Sequence, residues 1–192
     1  ANHEVIFDRI ELGTYIIAGA LMGKKIILNK ITSAVISTEI KILKKMGVRM
    51  KIEKNRITVF ESKKINNISI KTEAYPGFPT DLQAQIMVLM LKAKGTSKIK
   101  ESIFENRFMH IPELKRMGAK ISTKNNIATI TGPSNLSGAE VMATDLRASV
   151  SLVLAALVAD NKTTINRVYH LDRGYENLEK KLKKCKAKID RT

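Results

Sequence analysis

Two short stretches of this 192-residue chain place an aspartate behind a threonine at what reads as a helix start. One is Pro79-Thr80-Asp81-Leu82-Gln83-Ala84, the other Ala143-Thr144-Asp145-Leu146-Arg147-Ala148. Thr then Asp at such a place is ordinary capping chemistry, worth about 1 kcal/mol. Where several helix N-termini converge, however, their dipoles favour anions and keep a carboxylate ionised. A carboxylate held there can take the proton of a substrate hydroxyl. Arginines recur at matching distances: Arg107 lies 26 residues after Asp81, and Arg173 lies 28 residues after Asp145. The chain has 9 Arg against 25 Lys, so arginine at repeated loop positions is notable. A planar guanidinium binds carboxylate or phosphate bidentately. It can equally hold its loop by pairing with a nearby acid, and spacing alone leaves both roles open.

The elements that must position these residues are written three times. Each copy reads as an apolar helix, a break, a strand, a second helix with a basic stop, and a further strand. The first helices are expected at residues 14–22, 82–92 and 146–159, followed by strands at 25–28, 98–100 and 163–165. The second helices end as Leu43-Lys44-Lys45-Met46-Gly47, Leu114-Lys115-Arg116-Met117-Gly118 and Leu182-Lys183-Lys184-Cys185-Lys186. Gly47 and Gly118 suit the positive φ of a helix stop, and the preceding cations suit the helix dipole. Lys186 in the third copy predicts a less clean end. Hairpins are expected at 48–51 with 57–60 and at 120–123 with 127–130, while the third copy stops after Ile189 without its returning strand.

The first helices are apolar nearly all round; Ile86, Met87, Val88, Leu89, Met90 and Leu91 run consecutively. Such helices must be covered on most sides. The expected fold is therefore α/β, with three helices buried inside a sheath of sheets and outer helices in approximate three-fold symmetry. It reads as one domain over 1–192, with units at roughly 1–72, 73–136 and 137–192 and linkers near 62–75 and 133–139.

Composition bounds the function. Hydrophobic residues make up 44%, enough for a packed core. One Cys, at 185, excludes an internal disulfide and a Cys-rich zinc module, and suits a reducing compartment. The longest nearly apolar run, 148–159, is shorter than the ~20 residues a membrane span needs. No secretory leader is visible, so a cytoplasmic place is expected; without an initiator Met, the chain reads as processed or as a piece of something longer. The net charge of +16 permits nucleic-acid binding, but scattered Lys, 5% aromatics and no Trp argue against it. A positive field for small anions fits as well. His110 and His170 lack metal-ligand spacing and are expected to be hydrogen-bonded structural histidines; no metal or cofactor is expected. Cys185 has no partner for a triad, and no glycine-rich phosphate loop occurs.

Four motifs in order carry a resemblance: Phe78-Pro79-Thr80-Asp81-Leu82-Gln83-Ala84-Gln85, Phe104-Glu105-Asn106-Arg107-Phe108-Met109-His110, Ala143-Thr144-Asp145-Leu146-Arg147-Ala148-Ser149 and Asp172-Arg173-Gly174-Tyr175-Glu176. From Asp8-Arg9-Ile10-Glu11 onward the chain resembles the C-terminal half of the UDP-N-acetylglucosamine 1-carboxyvinyltransferases, the enolpyruvyl transferases of peptidoglycan synthesis. The resemblance implies one of two inside-out α/β domains, each of three repeats. It implies transfer of enolpyruvyl from phosphoenolpyruvate to the sugar 3-hydroxyl, with release of phosphate. By resemblance, Asp81 contacts and deprotonates that hydroxyl. Ile103 holds the nucleotide sugar through its backbone and Arg173 grips phosphoenolpyruvate. Arg107, Asp145 and Arg147 line the same site. The family's other half supplies a loop with a Cys or Asp acid, a Lys-Asn pair and further Arg, and a short N-terminal segment completes this domain. None of these is in the chain, which is expected to be inactive alone. The related transferase acting on shikimate phosphate, and a basic nucleic-acid-binding module, are the alternatives.

Overall fold

The computed structural model describes residues 2–3 and 5–191. The first helix, α1 (Arg9–Met22), begins where the Asp8 carboxylate accepts the backbone N–H groups of Ile10 and Glu11 at 2.7 and 3.1 Å. This cap starts the helix ahead of its expected position at residue 14, since it satisfies N–H groups that a helix start leaves unpaired. Then come β1 (Lys25–Asn29), α2 (Ser37–Lys45), β2 (Met50–Glu53) and β3 (Arg56–Phe60). β3 lies between β1 and β2 and is antiparallel to both.

The second set is β4 (Ser69–Lys71), α3 (Gln83–Met90), β5 (Gly95–Lys100), α4 (Ile111–Arg116), β6 (Ile121–Lys124) and β7 (Ile127–Gly132). Its sheet runs β4-β5-β7-β6, with β4 parallel to β5 and the other pairs antiparallel. The third set is β8 (Glu140–Met142), α5 (Ser149–Ala156), β9 (Thr164–Asn166), α6 (Tyr169–Asp172) and α7 (Leu178–Lys184). Here the parallel pair β8-β9 forms. β4 and β8 fall in or beside segments expected as linkers. Each has only three residues, too few for alternation to register, and each is held by parallel pairing to the strand behind the next helix.

The three first helices form the core. All eight residues of α3 are buried, as are seven of eight in α5 and ten of fourteen in α1. α3 packs against both α1 and α5. Their polarity is fixed at both ends. Gly13 of α1 lies against the Leu82 side chain just before α3, where a Cβ would sit 2.5 Å from Cδ1. At the far end the Lys92 ammonium donates to Leu21 O at 2.7 Å. At the near end Asp8 and Arg147 join the starts of α1 and α5 at 2.7 Å. Three helix N-termini thus open on one face.

The second helices all stop alike. Gly47 and Gly118 take φ of 90° and 94°, and Lys186 takes φ of 68°. Val48, Ala119 and Ala187 then donate to the carbonyls of Leu43, Leu114 and Leu182 at 3.0, 3.0 and 3.1 Å. The expected looser third stop is therefore corrected. The 6→1 hydrogen bond carries Lys186 into the left-handed region against a penalty of roughly 1–2 kcal/mol for a side chain there.

Candidate active site

The two Thr-Asp motifs, alike in sequence, are put to different uses. Asp145 ties down the turn that leads into α5: its Oδ1 accepts the N–H groups of Arg147 and Ala148 at 2.8 and 2.7 Å. Ser149 Oγ returns the favour by accepting from Thr144 N and Asp145 N at 3.0 and 3.1 Å. Asp81 makes no capping bond among the described residues. Its carboxylate is partly exposed and takes a hydrogen bond from an Arg107 guanidinium nitrogen at 2.7 Å. Arg107 stands over the Phe104 ring, 5.3 Å from its centroid. The loop carrying both residues lines an open cavity of about 770 Å³, together with Glu101, Ile103, Thr123, Asn125 and Asn126. Ile103 lies in this wall, 40% exposed. Its N–H already donates to Glu101 Oε1 at 2.8 Å, which leaves its carbonyl and side chain to meet a ligand.

Arg147 joins the starts of α1 and α5. It donates to Asp8 Oδ2 at 2.7 Å and to Gly174 O at 3.2 Å, and lies 5.3 Å from the Tyr175 ring centroid. Burial works to raise the Asp8 carboxyl, but Arg147 and two backbone N–H groups outweigh it and hold the pKa below its ordinary value. Burial likewise works against the Arg147 cation, and Asp8 and Tyr175 together more than offset it. Arg173, at the end of α6, is exposed and makes no ion pair among the described residues. Arg147 thus serves in part as the loop-holding arginine, whereas Arg173 is open to a ligand.

A buried chain of hydrogen bonds ties the two groups together. Gln85 Nε2 donates to Asp81 O at 2.8 Å and to the Tyr175 hydroxyl at 3.2 Å. Tyr175 in turn lies 2.9 Å from Thr14 Oγ1, whose hydroxyl reaches Ile10 O. Sequence reading missed Asp8, Thr14, Gln85 and Tyr175 as a set, because their partners lie up to 161 residues away.

His110 corrects another expectation. It is 1% exposed, yet neither ring nitrogen has a hydrogen-bond partner among the described residues. Burial lowers its pKa to about 4, opposed by nearby Asp145 and aided by Arg107. The folded chain therefore keeps His110 neutral between about pH 4 and pH 6.5, where an unfolded histidine gains a proton. The unfolded state binds more protons in that window, so stability is full above it and falls as pH drops through it. Urea unfolding of the chain at about pH 7.5 and about pH 5 is expected to differ by about 2 kcal/mol from this group, and His110→Phe is expected to remove that part of the slope. An unchanged slope would place the pH sensitivity elsewhere.

The family model described as EPSP synthase (3-phosphoshikimate 1-carboxyvinyltransferase) matches residues 1–182. The chain belongs to that family. It is 61% identical over 190 residues to the UDP-N-acetylglucosamine 1-carboxyvinyltransferase of Pelagibacter ubique (strain HTCC1062), covering 99% of this chain and 46% of that protein. It is 54% identical over 187 residues to the enzyme of the same name from Campylobacter jejuni subsp. jejuni serotype O:23/36 (strain 81-176), covering 97% and 45%. The chain therefore spans about half the length of the curated relatives it matches. The crystal structure of the enolpyruvyl transferase NikO from Streptomyces tendae superposes with a TM-score of 0.90 at 32% identity, over 97% of this chain and 44% of that one. EPSP synthase from Acinetobacter baumannii shares the fold, with a TM-score of 0.64 at 16% identity over 86% and 40%. The fold is thus the inside-out α/β enolpyruvyl transferase fold, with buried parallel helices and outer sheets. No helix among the described residues is long and apolar enough to cross a membrane.

Proposed function

We propose that this chain is one domain, of three units, of a two-domain enolpyruvyl transferase that moves the enolpyruvyl group of phosphoenolpyruvate onto the 3-hydroxyl of UDP-N-acetylglucosamine. The observation that carries the reading is the divergence of Asp81 from Asp145. The second holds the turn that leads into α5, while the first makes no such bond and leaves its carboxylate partly exposed, paired with Arg107, whose loop lines the cavity. A base that also served as a cap would lose its cap on taking a proton; Asp81 is free of that conflict.

In this reading Asp81 accepts the hydroxyl proton as the sugar oxygen adds to C2 of phosphoenolpyruvate. The proton that C3 gains comes from the other half of the protein. Loss of phosphate and of a C3 proton then restores the enol ether. In this reading Arg173, assisted by Arg147 and Arg107, offsets the charge of the carboxylate and phosphate, which is where preorganised cations contribute most. Ile103 borders the nucleotide-sugar cavity. The third unit fits a domain completed by a segment from the other half: an apolar-walled groove of about 730 Å³ lies beside β9, lined in part by Val153, Leu157, Val168 and Ile189.

The test joins this chain to the remainder of the Pelagibacter ubique relative in place of the matching part and follows phosphate release. Release is expected with phosphoenolpyruvate and UDP-N-acetylglucosamine, not with shikimate 3-phosphate, and not from the chain alone. Release with shikimate 3-phosphate instead would favour the acceptor named in the family model. No release with either would remove the transferase reading.

A further inference from the structure

Glu101 follows β5 at the foot of the cavity and is 2% exposed. Both of its carboxyl oxygens act as acceptors. Oε1 takes hydrogen bonds from Thr72 Oγ1 at 2.7 Å, Ile103 N at 2.8 Å and Phe104 N at 3.2 Å. Oε2 takes one from Thr80 Oγ1 at 2.8 Å and a longer one from Gln83 Nε2 at 3.5 Å. Among the described residues it forms no ion pair. Its backbone is fixed as well, by Asn126 Nδ2 to Glu101 O and by Glu101 N to Asn126 O, both at 2.8 Å.

A buried carboxyl with no cation beside it is a costly way to fill space, and an apolar side chain packs more cheaply. What a carboxyl offers is acceptors on two sides at once, in a fixed geometry. The two sides here lead to different parts of the site. Thr80, held by Oε2, immediately precedes Asp81. Ile103 and Phe104, held by Oε1, begin the loop that ends in Arg107. Asp81 and Arg107 meet at 2.7 Å, so Glu101 stands behind both members of that pair.

We propose that Glu101 is a positioning residue for the transfer reaction. One oxygen sets the Thr80-Asp81 turn, and the other sets the 103–107 loop that carries Ile103 and Arg107. This rests on the reading of Asp81 as the base. Misplacing a reacting group by an ångström costs up to about a hundredfold in rate. The Oε2 branch therefore acts on turnover, and the Oε1 branch acts on the wall that meets the nucleotide sugar.

The experiment uses the joined two-domain protein, with Thr80→Val, Thr80→Ser and Glu101→Gln, and a melting temperature for each. Thr80→Val is expected to lower kcat by about tenfold or more while KM for UDP-N-acetylglucosamine stays within about twofold. Thr80→Ser, which keeps the hydroxyl, is expected to restore kcat. A lower melting temperature with kcat unchanged would make the contact structural and overturn the proposal. Amide hydrogen exchange on Glu101→Gln gives a second reading that needs no turnover. Ile103 and Phe104 are expected to exchange several-fold faster, since a neutral acceptor holds an N–H more weakly than a charged one, while Leu152 in α5 is unchanged. Uniform change, or none, at these amides would overturn the proposal even where turnover is intact. If the unsubstituted joined protein releases no phosphate, the transferase reading has failed, and the exchange result alone decides whether Glu101 fixes the loop.

Discussion

Asp81→Asn in the joined two-domain protein is expected to lower turnover by about a thousandfold, within the range that a lost general base costs. Asn keeps the size of the side chain and an oxygen that can still accept the Arg107 guanidinium, so the 2.7 Å contact can persist. What disappears is the capacity to take a proton. The backbone around Asp81 does not depend on its carboxylate: Asp81 O is held by Gln85, and Thr80 by Glu101. The melting temperature is therefore expected to move little. Phosphate release measured beside thermal unfolding separates the two effects. Turnover within about tenfold of the unsubstituted protein would sink Asp81 as the base, because a base worth less than that is not carrying the proton transfer. The partial exposure of Asp81 is part of the argument, since a carboxylate sealed against the protein could not meet a substrate hydroxyl.

How much of this was legible in the chain depends on the range of each interaction. The buried helices were, because α3 and α5 have no polar stripe to turn toward water. The stops at Gly47 and Gly118 were also legible, because positive φ selects glycine. Lys186 shows the limit of that rule, since a hydrogen bond from the next residue brings a lysine to the same conformation. Asp81 and Asp145 could be found by their shared motif but not told apart, because capping depends on how the following turn is wound. Glu101 carried a signal that went unread: Ser97 and Ile99 alternate as buried residues along β5, and Glu101 continues their face. An acid on the buried face of a strand implies donors waiting for it. Asp8 with Arg147, and Thr14 with Tyr175, had no such trace, because their spacing follows from the closure of three units around one core.

Arg173→Ala is expected to raise KM for phosphoenolpyruvate by about a hundredfold while leaving KM for the nucleotide sugar within about twofold. The expectation rests on a guanidinium that is exposed beside residues that are themselves held in place. Gly174 accepts from Arg147 at 3.2 Å, and a Cβ there would sit 2.2 Å from Leu146 Cδ1, so any side chain would have to displace Leu146. Tyr175, 1% exposed, anchors the next residue in the core. Arg173 therefore projects from a rigid base with no acidic partner among the described residues. An exposed arginine without a partner adds little to stability, and its loss is expected to leave unfolding nearly unchanged. Its worth appears only when a carboxylate or phosphate arrives. Arg173→Lys is expected to fall between the two, since a lysine restores the charge but not the two parallel N–H donors. Initial rates of phosphate release against each substrate in turn decide the matter. Equal rises in both KM values would point to general damage of the loop, and no rise in either would move the phosphoenolpyruvate contact to another cation.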